Sequence, residues 1–205
     1  MAFVPGVTLT KWRRIWAERF PRVPLEVVEV TEAGQRAVLD DGVADMCFAR
    51  LPIDTEGVHV IRLYDEVPVV VVPRDHALAE QDEVSLADLE GEALVVGDAD
   101  AGAIERVAWG SGVARVPHSV ARSQSRKDVV YRPVTDAEPT TVGLAWLVDS
   151  DNDLIEEFIG IVRGRTPNSS RTAAARASKE AATTSKPTPP RRREQPRPGR
   201  GRRRR

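Results

Sequence analysis

Apolar positions near the start of the chain follow a helical pattern and then strand-like runs. Five large apolar residues recur at helical spacing: Leu9, Trp12, Ile15, Trp16 and Phe20. Charged residues fill most positions between them, which predicts an amphipathic helix over residues 8–20 with Thr8 as its N-cap. The neighbouring segments are predicted as strands at 2–4, 25–30 and 44–49 and a helix at 32–40. This β-α-β-α-β order indicates a parallel sheet covered by helices, which is an α/β fold.

The rest of the chain up to residue 165 continues the alternation. Strands are predicted at 58–63, 67–72, 93–96, 113–116, 129–134 and 142–148, and short helices at 85–89 and 104–109. The apolar spacing of Leu154 and Phe158 predicts a final helix. Ser150 and Asp153 form an S-x-x-D capping pattern before it, and Gly164 is expected to end it.

Charge divides the chain into two opposite parts. Residues 1–160 carry 15 basic and 29 acidic residues, whereas residues 161–205 carry 15 basic and 2 acidic residues. Residues 166–205 are Arg/Pro-rich, without aromatic residues, and are expected to be disordered because they cannot bury enough apolar surface. We expect this tail to contact DNA or RNA phosphates without sequence preference. The candidate contacts are Arg191, Arg192, Arg193, Arg202, Arg203, Arg204 and Arg205.

Several classes of function find no support in the residues. Cys47 is the one cysteine, so a disulfide framework and a cysteine metal cage are excluded. His59, His76 and His118 share no helical face with another ligand type, and no metal site or cofactor is predicted. No G-x-S-x-G motif or other convergent catalytic set is present, so the chain is not expected to be an enzyme.

The N-terminus has no signal-peptide core, and the valine-rich run at 67–72 is too short to span a bilayer. We therefore expect a cytoplasmic protein with no membrane partner. One junction does suggest binding, because Gly6, Thr8 and Thr10 lie where the first strand gives way to the first helix. Amide groups at a helix N-terminus suit a small anion; the alternative is an ordinary helix cap with Thr10 in the first turn.

Read in series, four motifs resemble the effector-binding (substrate-binding) domain of LysR-type transcriptional regulators. They are P-x-V-P-L-E at 21–26, D-G-V-A-D at 41–45, V-V-P-R-D-H-A-L-A at 71–79 and G-x-G-x-x-x-x-P at 110–117. The resemblance covers residues 2–165 and is closest to stand-alone forms that lack the N-terminal helix-turn-helix. It implies a fold like the type II periplasmic binding proteins, with lobe one at about 1–72 and 134–163 and lobe two at about 73–133. Lobe two is expected to be compressed, because only a short linker separates 96 from 104.

The resemblance also implies a pocket between the lobes. Its positions carry over to Gly6, Thr8, Thr10, Arg50, Leu51, Val96, Gly97, Gly112 and Val116. Thr8 and Thr10 would donate hydrogen bonds to an anionic group, and Arg50 would pair with a carboxylate. The alternative for Arg50 is a surface ion pair.

The resemblance implies a non-enzymatic domain that binds a small, anionic effector and is linked to transcription regulation. Its partners would be the effector, nucleic acid through the basic tail, and a second copy of the chain, since family members often pair through this domain. Two alternatives stay open. One is a vestigial effector domain that acts as a dimerisation or interaction module, and the other is a small-molecule enzyme on the same fold.

Overall fold

The computed structural model describes residues 1–165, so the basic tail predicted for residues 166–205 lies outside the described residues. The strands are β1 (Ala2–Phe3), β2 (Val28–Glu29), β3 (Cys47–Arg50), β4 (Val58–Glu66), β5 (Pro68–Pro73), β6 (Ala114–Pro117), β7 (Val129–Pro133) and β8 (Thr140–Leu147). The α-helices are α1 (Thr10–Arg19), α2 (Ala37–Asp40), α3 (Ala101–Ala108), α4 (His118–Ser123) and α5 (Leu154–Val162). Two 3₁₀ turns span Ala77–Glu80 and Ala87–Leu89.

The strands form two separate sheets. The first has five strands in the order β2-β1-β3-β8-β4. In it β1 is parallel to β2 and β3, whereas β8 runs antiparallel to β3 and β4. The second sheet has three antiparallel strands in the order β6-β5-β7. The chain passes from the first sheet to the second between β4 and β5 and returns between β7 and β8.

The first sheet is packed on both faces. Successive residues of β3 point to opposite faces, and both sets are buried. Phe48 lies on the face covered by α1 and α5, where its ring stacks on Trp12 with centroids 4.7 Å apart and meets Phe158 edge-on. Cys47 and Ala49 lie on the other face, with Leu39 of α2. The amphipathic pattern of the first helix therefore identifies a real core face.

The second sheet is also packed on both faces, because alternate valines of β5 point to opposite sides. Val69 and Val71 face α3 and α4, where they meet Ile104 and other small apolar side chains. Val70 and Val72 face the opposite way, toward Leu78 and neighbouring residues from the 3₁₀ segments. The continuous valine run thus reads as a strand that is buried on both faces.

Local details correct two predictions, the cap of the first helix and one strand. Leu9, and not Thr8, precedes the first helical residue, and its backbone is already helical at φ −94 and ψ −5, so no side chain caps α1. The segment predicted as a strand at 93–96 makes only one isolated parallel bridge, between Leu94 and Val113, and does not join the second sheet as a strand. These local errors arise where tertiary contacts decide the chain path.

The final helix is capped by a residue that the sequence pattern did not single out. The side-chain oxygen of Asn152 accepts the amide of Leu154 at 3.0 Å, in place of the predicted Ser150 and Asp153 pattern. Gly164 follows the helix with φ +73 and ends it as predicted. Within residues 1–165, no helix combines the length and the apolar character that crossing a membrane requires.

Candidate functional site

The two sheets meet beside Gly6, just beyond the carboxyl end of β1. Gly6 has φ +88, a conformation that favours glycine. A Cβ atom at this position would lie 2.5 Å from Ser119 Oγ and 2.8 Å from the amide nitrogen of Val120. Close contact with α4 therefore requires glycine here, and it brings one predicted site residue directly against the half of the molecule that carries the second sheet.

Arg50, the last residue of β3, lies at the centre of a buried polar network at the same junction. Its side chain is 2% exposed. Its Nε donates to Glu66 Oε2 at 2.9 Å, one terminal nitrogen donates to Glu32 Oε1 at 2.5 Å, and the other donates to the carbonyl of Pro5 at 3.0 Å. The alternative of a surface ion pair is wrong in its location: the pair is real, but it is buried.

The backbone of Arg50 is held as firmly as its side chain. Gln35 Oε1 accepts the Arg50 amide at 2.8 Å, and Gln35 Nε2 donates to the Arg50 carbonyl at 2.9 Å. The buried Gln35 amide therefore has partners on both sides, as the interior of a protein demands. This clamp fixes the end of β3 and the direction in which the guanidinium leaves it.

Glu66 carries the network across to the second sheet. It is buried at the end of β4, and its second carboxylate oxygen accepts a hydrogen bond from Ser119 Oγ of α4. Burial and the Glu66 carboxylate together raise the pKa of the neighbouring Tyr64 to about 12, while Arg50 opposes that shift. An ion pair and a hydroxyl thus join a strand of the first sheet to a helix over the second.

This arrangement limits what Arg50 can bind directly. One guanidinium faces two carboxylates, and each of its nitrogens already has an acceptor. Buried charges are tolerated only when they are fully paired, so an added anion would have to take the place of Glu32 or Glu66. The pairing of Arg50 with an effector carboxylate stays a prediction under that condition.

Thr8 and Thr10 stand at the start of α1 with exposed side chains. Neither hydroxyl has a hydrogen-bond partner among residues 1–165, and the first turn of a helix leaves its amides without intrahelical acceptors. Leu51, which follows Arg50, donates its amide to the Thr141 carbonyl at 2.8 Å. Its side chain approaches Gly143 of β8.

The four candidates from the second half have structural neighbours of their own. The Val96 carbonyl accepts from Arg106, and Gly97 lies against the same guanidinium. Gly112 has φ +126 and packs so closely on Ala93 that a Cβ atom would lie 1.9 Å from the Ala93 carbonyl oxygen. Val116 is buried in the core of the second sheet. The contacts of Val96, Gly97 and Gly112 thus lie within their own half, whereas Gly6 and Arg50 share one junction.

Glu32, Gln35, Glu66 and Ser119 are the site residues that sequence reasoning missed. Glu66 lies 16 residues from Arg50 in the chain, and Ser119 lies 53 residues from Glu66. No local motif connects such positions. The one signal was Glu66 itself, an acidic residue immediately before a valine-rich buried strand.

The remaining reactive side chains are arranged as structural groups. Burial raises the pKa of the Cys47 thiol to about 12, which keeps it protonated and unreactive. The three histidine side chains contact close neighbours: His59 contacts Trp146, His118 contacts Tyr131, and His76 contacts Glu92 and accepts the Leu78 amide. Among residues 1–165, no group of three or more His, Cys, Asp or Glu side chains could hold a metal ion.

Comparisons with known proteins give the same fold. The chain is similar to the BenM effector-binding domain with its effector benzoate, at 18% identity and a TM-score of 0.66 over 91% of this chain and 94% of that one. It is also similar to the reduced form of OxyR, at 22% identity and a TM-score of 0.64 over 79% and 90% of the two chains. The predicted α/β fold of a LysR effector-binding domain is therefore confirmed.

Sequence relatives point the same way. The chain is 26% identical over 198 residues to the Hca operon transcriptional activator HcaR of Escherichia coli, covering 80% of this chain and 67% of that protein. It is 30% identical over 138 residues to the regulator CatR of Pseudomonas putida, covering 53% and 47%. The chain thus spans about half to two thirds of the length of these relatives. The family model described as LysR substrate binding domain matches residues 4–107, about half of the chain, and the chain belongs to this family.

Proposed function

We propose that this chain is a non-enzymatic domain that binds a small anionic effector and relays its binding to transcription regulation in the cytoplasm. Membership of the LysR substrate-binding family supports this proposal. The observation that carries it is the junction beside Gly6, where β1 ends, α1 begins and α4 approaches within contact distance. Ligands of open α/β sheets bind at this kind of position, beyond the carboxyl ends of the strands.

The effector's negative group would bind at the start of α1. The exposed hydroxyls of Thr8 and Thr10 and the first-turn amides can all donate hydrogen bonds there, and the helix dipole favours an anion. Arg50 would act as a positioning residue, because its bond to the Pro5 carbonyl holds the chain immediately before Gly6. Val96, Gly97 and Gly112 would line the opposite wall, and Val116 would support it from the core of the second sheet.

The test is a thermal-shift and calorimetric screen of the full chain against small carboxylates, with benzoate as the first probe. Replacing Thr8→Val together with Thr10→Val should abolish effector binding. Because neither hydroxyl caps the helix, the free energy of unfolding should change by less than about 0.5 kcal/mol. The matched control is Thr55→Val, an exposed threonine elsewhere, which should bind normally. Equal affinity in the wild type and the double variant would remove Thr8 and Thr10 from the site.

A second candidate function is an interaction module with a closed junction. The buried Arg50 and Glu66 pair and its Ser119 bond favour this reading, because the chain's own carboxylate already fills the space beside the guanidinium. Such a module would pair with a second copy, whether or not a small molecule is present. Sedimentation that shows a stable dimer, with no carboxylate raising the melting temperature, would favour this function over sensing.

We also propose that the basic tail adds non-specific contact with nucleic acid. Its 13 basic residues contrast with an acidic body that would repel phosphates. Counterion release predicts that log K falls linearly with log salt, by about 0.9 per neutralised phosphate on duplex DNA. Replacing the seven arginines at 191–193 and 202–205 with Gln should flatten this slope equally for all sequences. No gel retardation of DNA or RNA at low salt would contradict the proposal.

A further inference from the structure

The core of the second sheet opens to solvent through a cavity of about 340 Å³ between β5, β7, α3 and α4. Its floor is apolar: Val71, Ile104, Ala121 and Val129 line it, and all four are buried. Tyr131 lines it as well, and its register opposite Val71 places it on the same face of the sheet. The floor can therefore hold an apolar group of modest size, since ligand cavities begin at about 300 Å³.

Polar groups with unused hydrogen-bonding capacity stand around this floor. Arg74 donates through Nε to the Lys127 carbonyl at 2.6 Å, and within residues 1–165 its two terminal nitrogens have no acceptor. The Ser125 hydroxyl and the Tyr131 phenol, which also line the cavity, likewise have no hydrogen-bond partner in that part of the chain. Arg74 is thus oriented by one bond while its charged end is available to a ligand.

The charge around the cavity runs against that of the body. Residues 1–160 hold 15 basic and 29 acidic residues, yet Arg74, Arg126 and Arg132 line this cavity, with Asp128 and Glu105 as acidic neighbours of Arg126. Arg126 binds Asp128 through two bonds of 2.9 and 2.7 Å, which lowers the pKa of that carboxyl. Arg74 also contributes to lowering the pKa of Asp128, but among residues 1–165 no carboxylate forms an ion pair with Arg74.

We propose that this cavity is a second ligand site, which binds a small carboxylate with an apolar body. The carboxylate would pair with the terminal nitrogens of Arg74 and accept hydrogen bonds from Ser125 and Tyr131. The apolar body would cover Val71 and Ala121, removing their remaining surface from water. This site lies within the second half and goes beyond the effector junction at Gly6, whose residues it does not use.

The experiment compares benzoate with its neutral isostere benzamide, titrated calorimetrically into the full chain carrying Thr8→Val and Thr10→Val. That background removes the proposed effector junction, so any remaining binding reports the second site. We expect benzoate to bind and Arg74→Gln to weaken it by about tenfold or more, the loss of a charge-assisted pair. Ser125→Leu, at the exposed rim, should block benzoate by filling the entrance.

The matched control is Arg115→Gln, which removes an exposed arginine of β6 whose partner in β5 is Val70, on the opposite face. It should leave benzoate affinity unchanged. The proposal is overturned if benzoate does not bind in the threonine background, if benzamide binds as well as benzoate, or if Arg74→Gln and Arg115→Gln have equal effects. If the full chain binds benzoate only through this cavity, with no contribution from Thr8 and Thr10, the proposed effector site at the junction is wrong and the proposal for this cavity stands.

Discussion

The two halves of the molecule bury very different side chains. The first sheet packs large rings together: Trp16 lies 5.7 Å from Phe158, and Phe48 lies between Trp12 and Phe158. Among the described residues, the side chains buried on the second sheet are aliphatic, chiefly valine and alanine. Cavities open in both halves: one of about 490 Å³ lies beside Trp16 and Phe20 of the first half, and one of about 340 Å³ lies over the second sheet. The two halves therefore differ in the size of the side chains that fill their cores, and not in whether they have room for a ligand.

The halves differ again in how charge is used. The first half contributes a buried cation and its carboxylates, Arg50, Glu32 and Glu66, and the second half contributes only the Ser119 hydroxyl. A hydroxyl is cheaper to separate from a carboxylate than an opposite charge would be. The junction can thus hold the halves together without making their separation prohibitive.

Phe158→Ala should cause the largest loss of stability, because it removes a ring that touches both Trp16 and Phe48. We expect the free energy of unfolding to fall by about 3–5 kcal/mol in urea denaturation. Val43→Ala, at an exposed position, is the control and should change stability by less than about 0.5 kcal/mol. A loss below about 1 kcal/mol for Phe158→Ala would break the contrast between the two cores.

Arg50→Met tests the junction and should cost nearly as much. It leaves the buried Glu66 carboxylate without its charged partner, which costs about 3–5 kcal/mol when a pair is broken from one side. Adding Glu66→Leu should restore a large part of the loss, since the unpaired charge then disappears. If the free energy of unfolding does not recover in the double variant, measured by the same urea denaturation, then packing and not charge pairing stabilises the junction.

Val107→Ala measures the aliphatic core of the second half. The side chain is fully buried, and losing two methyl groups should cost about 2 kcal/mol. If the junction makes the halves cooperative, this variant will still unfold in one transition by fluorescence and circular dichroism. Two separate transitions would show that the second half unfolds independently of the aromatic core.

Cys47→Ala should cause the smallest change in the free energy of unfolding near neutral pH. Burial raises the pKa of the Cys47 thiol from 9.0 to about 12, so the folded thiol stays protonated where the unfolded thiol ionises. This contribution to stability is fully present below pH 9 and is lost as the pH rises toward 12. The stability difference between wild type and Cys47→Ala should be constant below pH 9 and shift against the wild type above it. Rapid reaction of the native thiol with Ellman's reagent at pH 8 would contradict the burial.

The sequence by itself determined most of the elements and the family. Apolar spacing located α1 and α5, the valine run located β5, and four dispersed motifs identified the LysR effector-binding fold. These features can be read locally, because helix and strand periodicity depend on residues only a few positions apart. The Gly6 position was also found locally, as the turn between a strand and a helix.

Only the tertiary structure decided how the two halves meet. The partners of Arg50 come from 16 and 18 residues away, and Glu66 finds Ser119 across 53 residues. The predicted Thr8 cap failed for the same reason, since a cap depends on backbone geometry at the helix start and Leu9 is buried there. Periodicity states which face of an element is apolar, but a polar pair depends on where two elements cross. That crossing is set by the packing of both sheets together.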